Sequence, residues 1–249
     1  MSTEKTEAIV IRQADFSESS RVVTLFSRDF GKVSVLAKGA KRLKGPFDAA
    51  LDLLSACRIV FLRKSTGALS LLTQASLIQK FTPVPTSLNS LYGGYYAADL
   101  VNNLTEEEDP DEVLYQCFTD VLNRLSNPEE DLLTAITQFE ISVLQCCGLF
   151  PNLSECSVCG QPVNIDGKFA HWVSQGGLLC QSCRREEYAG KSISAGAVAI
   201  LNRITNTDER IADRIRPTKQ QSIECHRLAV SAITNALGKK PGTLRYLNF

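Results

Sequence analysis

The sequence predicts an α+β protein in which a small five-stranded barrel precedes a helical domain that carries a four-cysteine insertion. Three observations support this fold class. The first 80 residues contain short β-branched and alternating runs, the apolar period changes to 3.6 residues after Pro83 and Pro85, and two Cys-x₂-Cys pairs interrupt the helical part. The chain has 249 residues, 44% of them hydrophobic, which is enough for a core and predicts one or two domains. We expect a barrel at 1–80, a helical domain at 81–150 and 191–249, and the insertion at 151–190.

Five strands are expected before the prolines. The segment Lys32–Ala37 shows the alternation of a half-buried strand, and a Gly- and Lys-rich loop at 38–46 follows it. Five short antiparallel strands in 80 residues fit a small barrel, and the pattern leaves an SH3-like barrel open as an alternative architecture. The predicted strands are Thr6–Gln13, Arg21–Ser27, Lys32–Ala37, Leu51–Leu62 and Ala68–Lys80.

Helices are expected from Leu88 onward. Gly93 and Gly94 lie inside the first helical pattern, and since glycine weakens a helix, they indicate close packing there. Asp109-Pro110-Asp111-Glu112 has the composition of a helix start, with Asp109 as the N-cap, and Asn127-Pro128-Glu129-Glu130 repeats it. Further helices are expected near Ser194 and over Thr218–Leu237, and glycines 148 and 238 are expected to end two of the helices.

The formal net charge of zero hides an uneven distribution along the chain. Residues 1–80 contain 13 basic and 7 acidic residues, residues 81–150 contain 1 and 12, and residues 191–249 contain 10 and 4. Two basic ends therefore flank an acidic middle, which suggests a polyanionic partner for the basic parts. Much of the acidic charge lies in predicted first turns of helices, where it favours the helix dipole, so acidity alone indicates no function.

Four of the nine cysteines predict a structural zinc site. Cys156, Cys159, Cys180 and Cys183 form two Cys-x₂-Cys knuckles separated by 20 residues, which is enough for a hairpin that brings them together. Four thiolates close the coordination shell of Zn²⁺ and leave no position for a catalytic water. His171 is a less favoured substitute ligand, and the remaining cysteines are expected to be mainly small buried apolar residues.

No motif in the sequence predicts catalysis. A phosphate-binding Gly-x₄-Gly-Lys-Ser/Thr loop, a Gly-x-Ser-x-Gly elbow and a His-Glu-x₂-His motif are all missing, and only His171 and His226 could act as histidine bases. The longest uncharged run, 81–98, is broken by prolines and glycines, so we expect no membrane span. The N-terminus shows no secretory signal, and we expect a cytoplasmic protein that is not an enzyme.

Three stretches resemble the RecO family of bacterial recombination mediators. They are AIVIRQADFSESSRVVTLFSRDFGKVSVLAKGAKRLKG at 8–45, CCGLFPNLSECSVCG at 146–160 and GGLLCQSC at 176–183. The resemblance implies an N-terminal OB-fold, a helical domain and a zinc ribbon. It also implies binding of single- and double-stranded DNA, annealing of complementary strands, and work with RecR and the single-strand binding protein SSB to load RecA, near the bacterial nucleoid.

The predicted DNA contacts are basic residues of the barrel. Four of them lie in the loop after the third strand, which could otherwise be a solvated turn. Phe16 and Phe30 could stack on bases, whereas Phe26 and Phe61 are expected in the core. A zinc-ribbon adaptor without DNA annealing is the alternative function, and the C-terminal basic segment is the alternative DNA surface and the expected site for the SSB tail. The predicted contacts are Arg12, Arg21, Lys38, Lys41, Arg42 and Lys44; the alternative surface contains Arg203, Arg210, Arg214, Arg216 and Lys219.

Overall fold

The computed structural model describes residues 2–42, 47–64, 69–163, 168–172, 177–185, 192–206 and 217–249, with only the backbone at positions 48, 49, 168, 172 and 206. Contacts within the chain divide it into two units. Unit 1 comprises Met1–Glu130 and Arg245–Asn248, and unit 2 comprises Asp131–Leu244 and Phe249. Each unit is described by itself below.

The described part of unit 1 contains the five predicted strands, which form a closed barrel. Their bounds are β1 Ser2–Asp15, β2 Arg21–Ser27, β3 Gly31–Ala37, β4 Ala56–Arg63 and β5 Ser70–Gln79. Around the barrel their order is β1-β2-β3-β5-β4. Neighbouring strands are antiparallel, as expected, except β3 and β5, which pair in parallel through Val35–Leu36 and Ser70–Leu71. The strands followed by helices confirm the α+β class.

The first strand closes the barrel because it is long enough to pair with two others. Its N-terminal part, Ser2–Ile9, pairs with β4, and its C-terminal part, Ala8–Asp15, pairs with β2. A register shift between Val10 and Arg12 bends the strand between these two roles. Alternate side chains fill the interior, among them the fully buried Val23, Leu25, Val35 and Ile59.

The prediction of one strand over Leu51–Leu62 is wrong in its first part. Asp48–Leu51 forms a short 3₁₀ helix, Leu54 has a positive φ of 66°, and β4 begins only at Ala56. Leu54 donates its backbone N–H to Val10 (2.8 Å), which turns the chain before the strand begins. Leu51, the first residue of the predicted strand, instead packs into the barrel core from this short helix.

Two helices of unit 1 follow the barrel, α1 at Leu88–Leu104 and α2 at Glu112–Leu125. Gly94 lies so close to neighbouring side chains that an added Cβ would meet Leu54 at 2.7 Å and Phe81 at 2.9 Å. The packing at the glycine is therefore close, but its partners lie outside the helices, whereas the sequence suggested close helix packing. The predicted cap of α2 is wrong by two residues: Asp111, not Asp109, accepts a hydrogen bond from the N–H of Leu114 (2.8 Å).

The backbone of Asp109 has a different role, because it packs directly on the start of β3. Gly31 has a φ of 62°, and a Cβ there would lie 2.1 Å from the carbonyl oxygen of Asp109. Beside it, the Lys32 ammonium donates to the carbonyls of Asn102 (2.8 Å) and Thr105 (2.6 Å) at the end of α1. Lys32 is only 8% exposed, so its charge is compensated by the C-terminal carbonyls of the helix.

The described part of unit 2 contains three helices and a four-stranded sheet. In the sheet, β6 and β8 pair in parallel, and β7 pairs antiparallel with both β8 and β9. Helices α3 and α5 pack on each other, and buried Ile141, Leu201 and Leu228 contribute to one core with residues of the sheet. The elements are α3 Leu132–Cys146, β6 Asn152–Cys156, β7 Lys168–Trp172, β8 Gly177–Leu179, β9 Ser192–Ser194, α4 Ala195–Asn206 and α5 Lys219–Leu237.

In unit 2, the ends of α3 and α5 agree with the sequence prediction except at the start of α3. The N-cap of α3 is Asp131, four residues after the predicted Asn127, whose side chain instead accepts the N–H of Glu129 in a local turn (3.1 Å). Helix α5 begins with a capping box formed by Thr218 and Gln221. Gly148 and Gly238 follow α3 and α5 with φ of 67°, as expected for helix C-termini. Among the helices of the described ranges, none combines the length and apolarity needed to cross a membrane.

Candidate metal centre and candidate nucleic-acid interface

The four predicted ligand cysteines lie together in unit 2. Cys156 is the last residue of β6 and Cys180 follows β8, so the parallel pairing of these two strands brings the knuckles side by side. Each knuckle is closed by its own backbone: the N–H of Gly160 bonds to the carbonyl of Cys156 (2.9 Å), and that of Cys183 bonds to Cys180 (3.2 Å). All four sulfur atoms lie within 4.8 Å of one another.

This geometry fits a tetrahedral metal ion. Zn–S bonds of about 2.3 Å place the sulfur atoms of a tetrahedron about 3.8 Å apart, and the Sγ atoms of Cys159 and Cys180 are 3.8 Å apart. His171 is not part of the cluster, which among the described residues consists of cysteines alone. A closed set of four thiolates supports structure and offers no position for substrate.

The surroundings of the four cysteines change the pKa values of their thiols, and a metal ion would displace the protons that remain on them. Burial raises the pKa of Cys156, but backbone N–H groups of Cys180, Cys159 and Val158 outweigh this effect and lower it to about 6. Hydrogen bonds to Cys159 and Cys180 raise the pKa of Cys183 to about 12. Binding of a metal ion therefore releases at least the Cys183 proton at neutral pH.

Two loops at one end of the barrel bring most of the described candidate DNA contacts together. We call them the barrel-end loops: 16–20, between β1 and β2, and 38–42, after β3. Two hydrogen bonds of Lys41 join the loops: its backbone N–H donates to the carbonyl of Ser19 (3.2 Å), and its ammonium donates to the carbonyl of Ser17 (3.4 Å). The two loops therefore form one surface.

The charges on this surface are partly paired and partly free. Asp15 is shared by the Lys41 ammonium (3.0 Å) and the Arg21 guanidinium (3.2 Å), and these hydrogen bonds, that of Lys41 first, hold the pKa of Asp15 below its usual value. Lys38 and Arg42 are exposed and form no ion pair with any residue in the described ranges. Exposed ion pairs are weak, so a phosphate could replace Asp15 as the partner of Lys41 or Arg21.

The other candidate residues lie apart or outside the described residues. Arg12 is exposed but does not share the face of β1 that meets Arg21. The Arg21 guanidinium donates to the side chain of Gln13, and since Arg12 is the residue next to Gln13 in the strand, its side chain points to the opposite face. Lys44 lies outside the described residues. In the alternative C-terminal surface, Arg203 and Lys219 are described and exposed, whereas Arg210, Arg214 and Arg216 lie outside the described residues.

The phenylalanines of the barrel, considered as candidates for base stacking, differ in how far their rings are exposed. Phe26 and Phe61 are buried in the barrel, as expected. Phe30 packs edge-on against Phe61 with ring centroids 5.6 Å apart, and the Arg63 guanidinium lies 6.0 Å from the Phe30 ring. Phe16 remains 61% exposed in the first barrel-end loop.

Sequence reasoning missed one residue that organises the DNA surface and one buried pair outside both sites. Asp15 orients two of the candidate cations, and its pairing with Arg21 becomes visible only through the β1–β2 register, in which the two residues are opposite. His226 bonds through Nδ1 to the fully buried Glu140 (2.8 Å). No spacing in the sequence indicates that pair, because the two residues lie 86 positions apart.

Comparison with known proteins gives consistent matches along the chain. Family models described as "Recombination protein O N terminal" and "Recombination protein O C terminal" match residues 1–81 and 85–245. Three proteins named "DNA repair protein RecO" are similar to it. That of Rhodopirellula baltica is 34% identical over 81% of this chain and 75% of its own, and that of Acetivibrio thermocellus 32% over 82% and 79%. That of Syntrophus aciditrophicus is 29% identical over 99% and 95%. The chain belongs to the recombination protein O family, whose members act in DNA repair and recombination.

Proposed function

We propose that this chain is a DNA-binding recombination mediator. It binds single- and double-stranded DNA, anneals complementary strands, and with RecR helps load RecA onto single strands coated by SSB. The observation that carries this proposal is the surface of the barrel-end loops, where Lys38, Lys41, Arg42 and Arg21 converge. A positively charged surface that contacts the phosphates is the usual basis of single-strand binding without sequence preference.

The barrel topology supports assigning unit 1 an OB-fold. A five-stranded barrel that closes through a parallel β3–β5 pair has the strand order of that fold, in which the loop between the first two strands contacts oligonucleotides. In this chain that loop is 16–20, which is one of the two barrel-end loops. The proposed DNA surface thus lies where an OB-fold would place it.

Annealing by this surface needs no covalent chemistry. Two complementary strands repel each other through their phosphates, and a surface that neutralises phosphates without reading bases lowers that repulsion for any sequence. We therefore propose a protein that is not an enzyme. The metal of the four-cysteine centre is proposed to be Zn²⁺, held by Cys156, Cys159, Cys180 and Cys183 as a structural ion.

The remaining parts of the proposal concern partners and place. We propose that the C-terminal basic segment contains the contact for the acidic, apolar SSB tail, and that the protein acts in the bacterial cytoplasm near the nucleoid. The alternative function, a zinc-ribbon adaptor without annealing, differs in one respect that can be measured. An adaptor binds its protein partners but does not accelerate the pairing of bare complementary strands.

The test compares two triple variants with equal loss of charge. Lys38→Ala, Lys41→Ala and Arg42→Ala together remove described cations of the second barrel-end loop. Lys5→Ala, Arg28→Ala and Arg58→Ala remove three exposed cations that lie around Glu7, toward the other end of β1. DNA affinity and annealing of bare strands are measured for both variants over a range of salt concentrations.

We expect the loop variant to bind every DNA sequence more weakly and to anneal more slowly. Each phosphate contact contributes about 0.7 to the salt slope on single strands, so three lost contacts lower the slope by at most about 2.1. Stability should change by about 1 kcal/mol or less, because Lys38 and Arg42 are exposed and Lys41, whose side chain is 27% exposed, loses a surface ion pair with Asp15. Equal affinity, salt slope and annealing rate in the two triple variants would contradict the proposed DNA surface.

A further inference from the structure

We propose that Phe16 forms a stacking platform for one unpaired nucleobase, which gives the surface of the barrel-end loops a preference for single-stranded over duplex DNA. This inference rests on the proposed function, since it assumes that the surface binds DNA. It assigns a role to a residue that neither the phosphate contacts nor the metal centre uses.

The exposure of Phe16 is the first observation. With 61% of the residue exposed, it is the most exposed of the phenylalanines in the barrel, whereas Phe26 and Phe61 are buried. No aromatic or cationic side chain of the described residues covers its ring, in contrast to Phe30, which packs on Phe61 and lies beneath Arg63. A phenyl ring in such a position contributes less to the stability of the fold than a buried one, because more than half of the residue stays in contact with water.

The second observation is that the backbone beneath this ring is fixed. The N–H groups of Phe16 and Ser17 both donate to the carbonyl of Ser20 (3.0 and 3.2 Å), which closes the turn. Lys41 then ties the turn to the second loop through Ser19 and Ser17. The ring is therefore presented by an ordered turn, which reduces the entropy lost when a base stacks on it.

The third observation is the charge next to the ring. Asp15, directly before Phe16 in the chain, is held by Lys41 and Arg21, so two cations lie beside the turn that carries the ring. A strand whose phosphates contact these cations would bring its bases to the same turn. In a duplex the bases are already stacked and paired, so only an unpaired base can offer a face to Phe16.

The experiment removes either the ring or the base. Wild-type protein, Phe16→Ala and Phe16→Trp are titrated with an oligothymidine strand, with an abasic strand of equal length, and with a duplex. Leu88→Ala, which truncates an exposed apolar side chain of α1, serves as the matched control. Circular dichroism of each variant monitors the fold.

Removal of the ring should weaken binding to oligothymidine by about 5- to 150-fold, the range that stacking of one base supports. The affinity for the abasic strand and the duplex should not change, and the salt slope should remain that of the wild type because no phosphate contact is lost. Phe16→Trp and Leu88→Ala should bind like the wild type.

Two results would overturn the inference while leaving the proposed function intact. One is an unchanged affinity of Phe16→Ala for oligothymidine, and the other is an equal weakening on the abasic strand, which would show that the ring only supports the loop. If the wild-type protein bound none of the three DNAs, the proposed function itself would fail, and the inference with it.

Discussion

The buried pair of Glu140 and His226 makes the stability of unit 2 depend on pH. The Nδ1 atom of His226 lies 2.8 Å from Oε2 of Glu140, and the two side chains are 18% and 0% exposed. Burial lowers the pKa of His226, but the charge of Glu140 and its hydrogen bond outweigh burial and raise the pKa above 6.5. The protonated histidine is therefore more stable in the folded than in the unfolded chain.

The direction of the pH effect follows from this shift. A group whose pKa is raised by folding contributes its full stabilisation below its unfolded value of 6.5, and this contribution is lost as the pH rises through the folded-state pKa. Each unit by which the pKa is raised corresponds to about 1.4 kcal/mol. Replacement of the carboxylate by an amide removes the charge, and hydrogen bonds to charged groups contribute about 1.5–3 kcal/mol.

We therefore expect Glu140→Gln to lower the free energy of unfolding by about 1.5–3 kcal/mol at pH 6 and by less at pH 9. Urea unfolding followed by the fluorescence of Trp172, the one tryptophan of the chain, reports on unit 2. The matched control is Glu224→Gln on helix α5, because the pKa of Glu224 is below 4.5 and this residue stays charged at both pH values. The reasoning is refuted if the two variants show the same difference between pH 6 and pH 9.

Two further predictions concern a close backbone contact and the metal centre. A non-glycine residue with a left-handed φ costs about 1–2 kcal/mol. In urea unfolding, Gly148→Ala should show only this cost, because nothing lies near its added Cβ, whereas Gly31→Ala should destabilise unit 1 by more, because its Cβ would meet the backbone of Asp109. Cys156→Ser should reduce zinc, measured by emission spectroscopy, from about one ion per chain and lower the unfolding midpoint of unit 2. Zinc well below one ion per chain in intact wild-type protein would contradict the second prediction.

Local patterns predicted the elements better than their ends. The period of the apolar residues suffices to predict five strands and the helices. Gly148 and Gly238 predict helix ends because the φ of 67° at these positions favours glycine. The prediction for the segment before β4 is wrong because Leu51 is buried from the short 3₁₀ helix Asp48–Leu51, and periodicity alone cannot distinguish an apolar residue of such a helix from one in a strand. Asp109 was assigned as a cap because the sequence does not show its contact with Gly31.

The candidate sites differ in how far the sequence could predict them. The spacing of the cysteines predicts that the four thiols meet, since each knuckle is local. It does not predict how they meet, because the sequence suggested a hairpin between the knuckles, whereas the strand that ends at Cys156 and the strand before Cys180 pair in parallel. The DNA candidates depend on strand register, which decides that Arg21 meets Asp15, the carboxylate that Lys41 also contacts, while Arg12 lies on the opposite face of β1. A one-residue change in register reverses such a grouping, so basic residues near one another in sequence need not share a surface.

Lys32 links the order of folding in unit 1 to its structure. Its ammonium is buried only because the last turn of α1 supplies two carbonyls, yet those groups lie 70 and 73 residues away in the chain. Without those two carbonyls the buried ammonium would have no partner there, so burial of Lys32 requires the last turn of α1 to pack beside β3. Lys32 therefore couples the barrel to the end of α1 across a long stretch of chain, a nonlocal contact of the kind that slows folding.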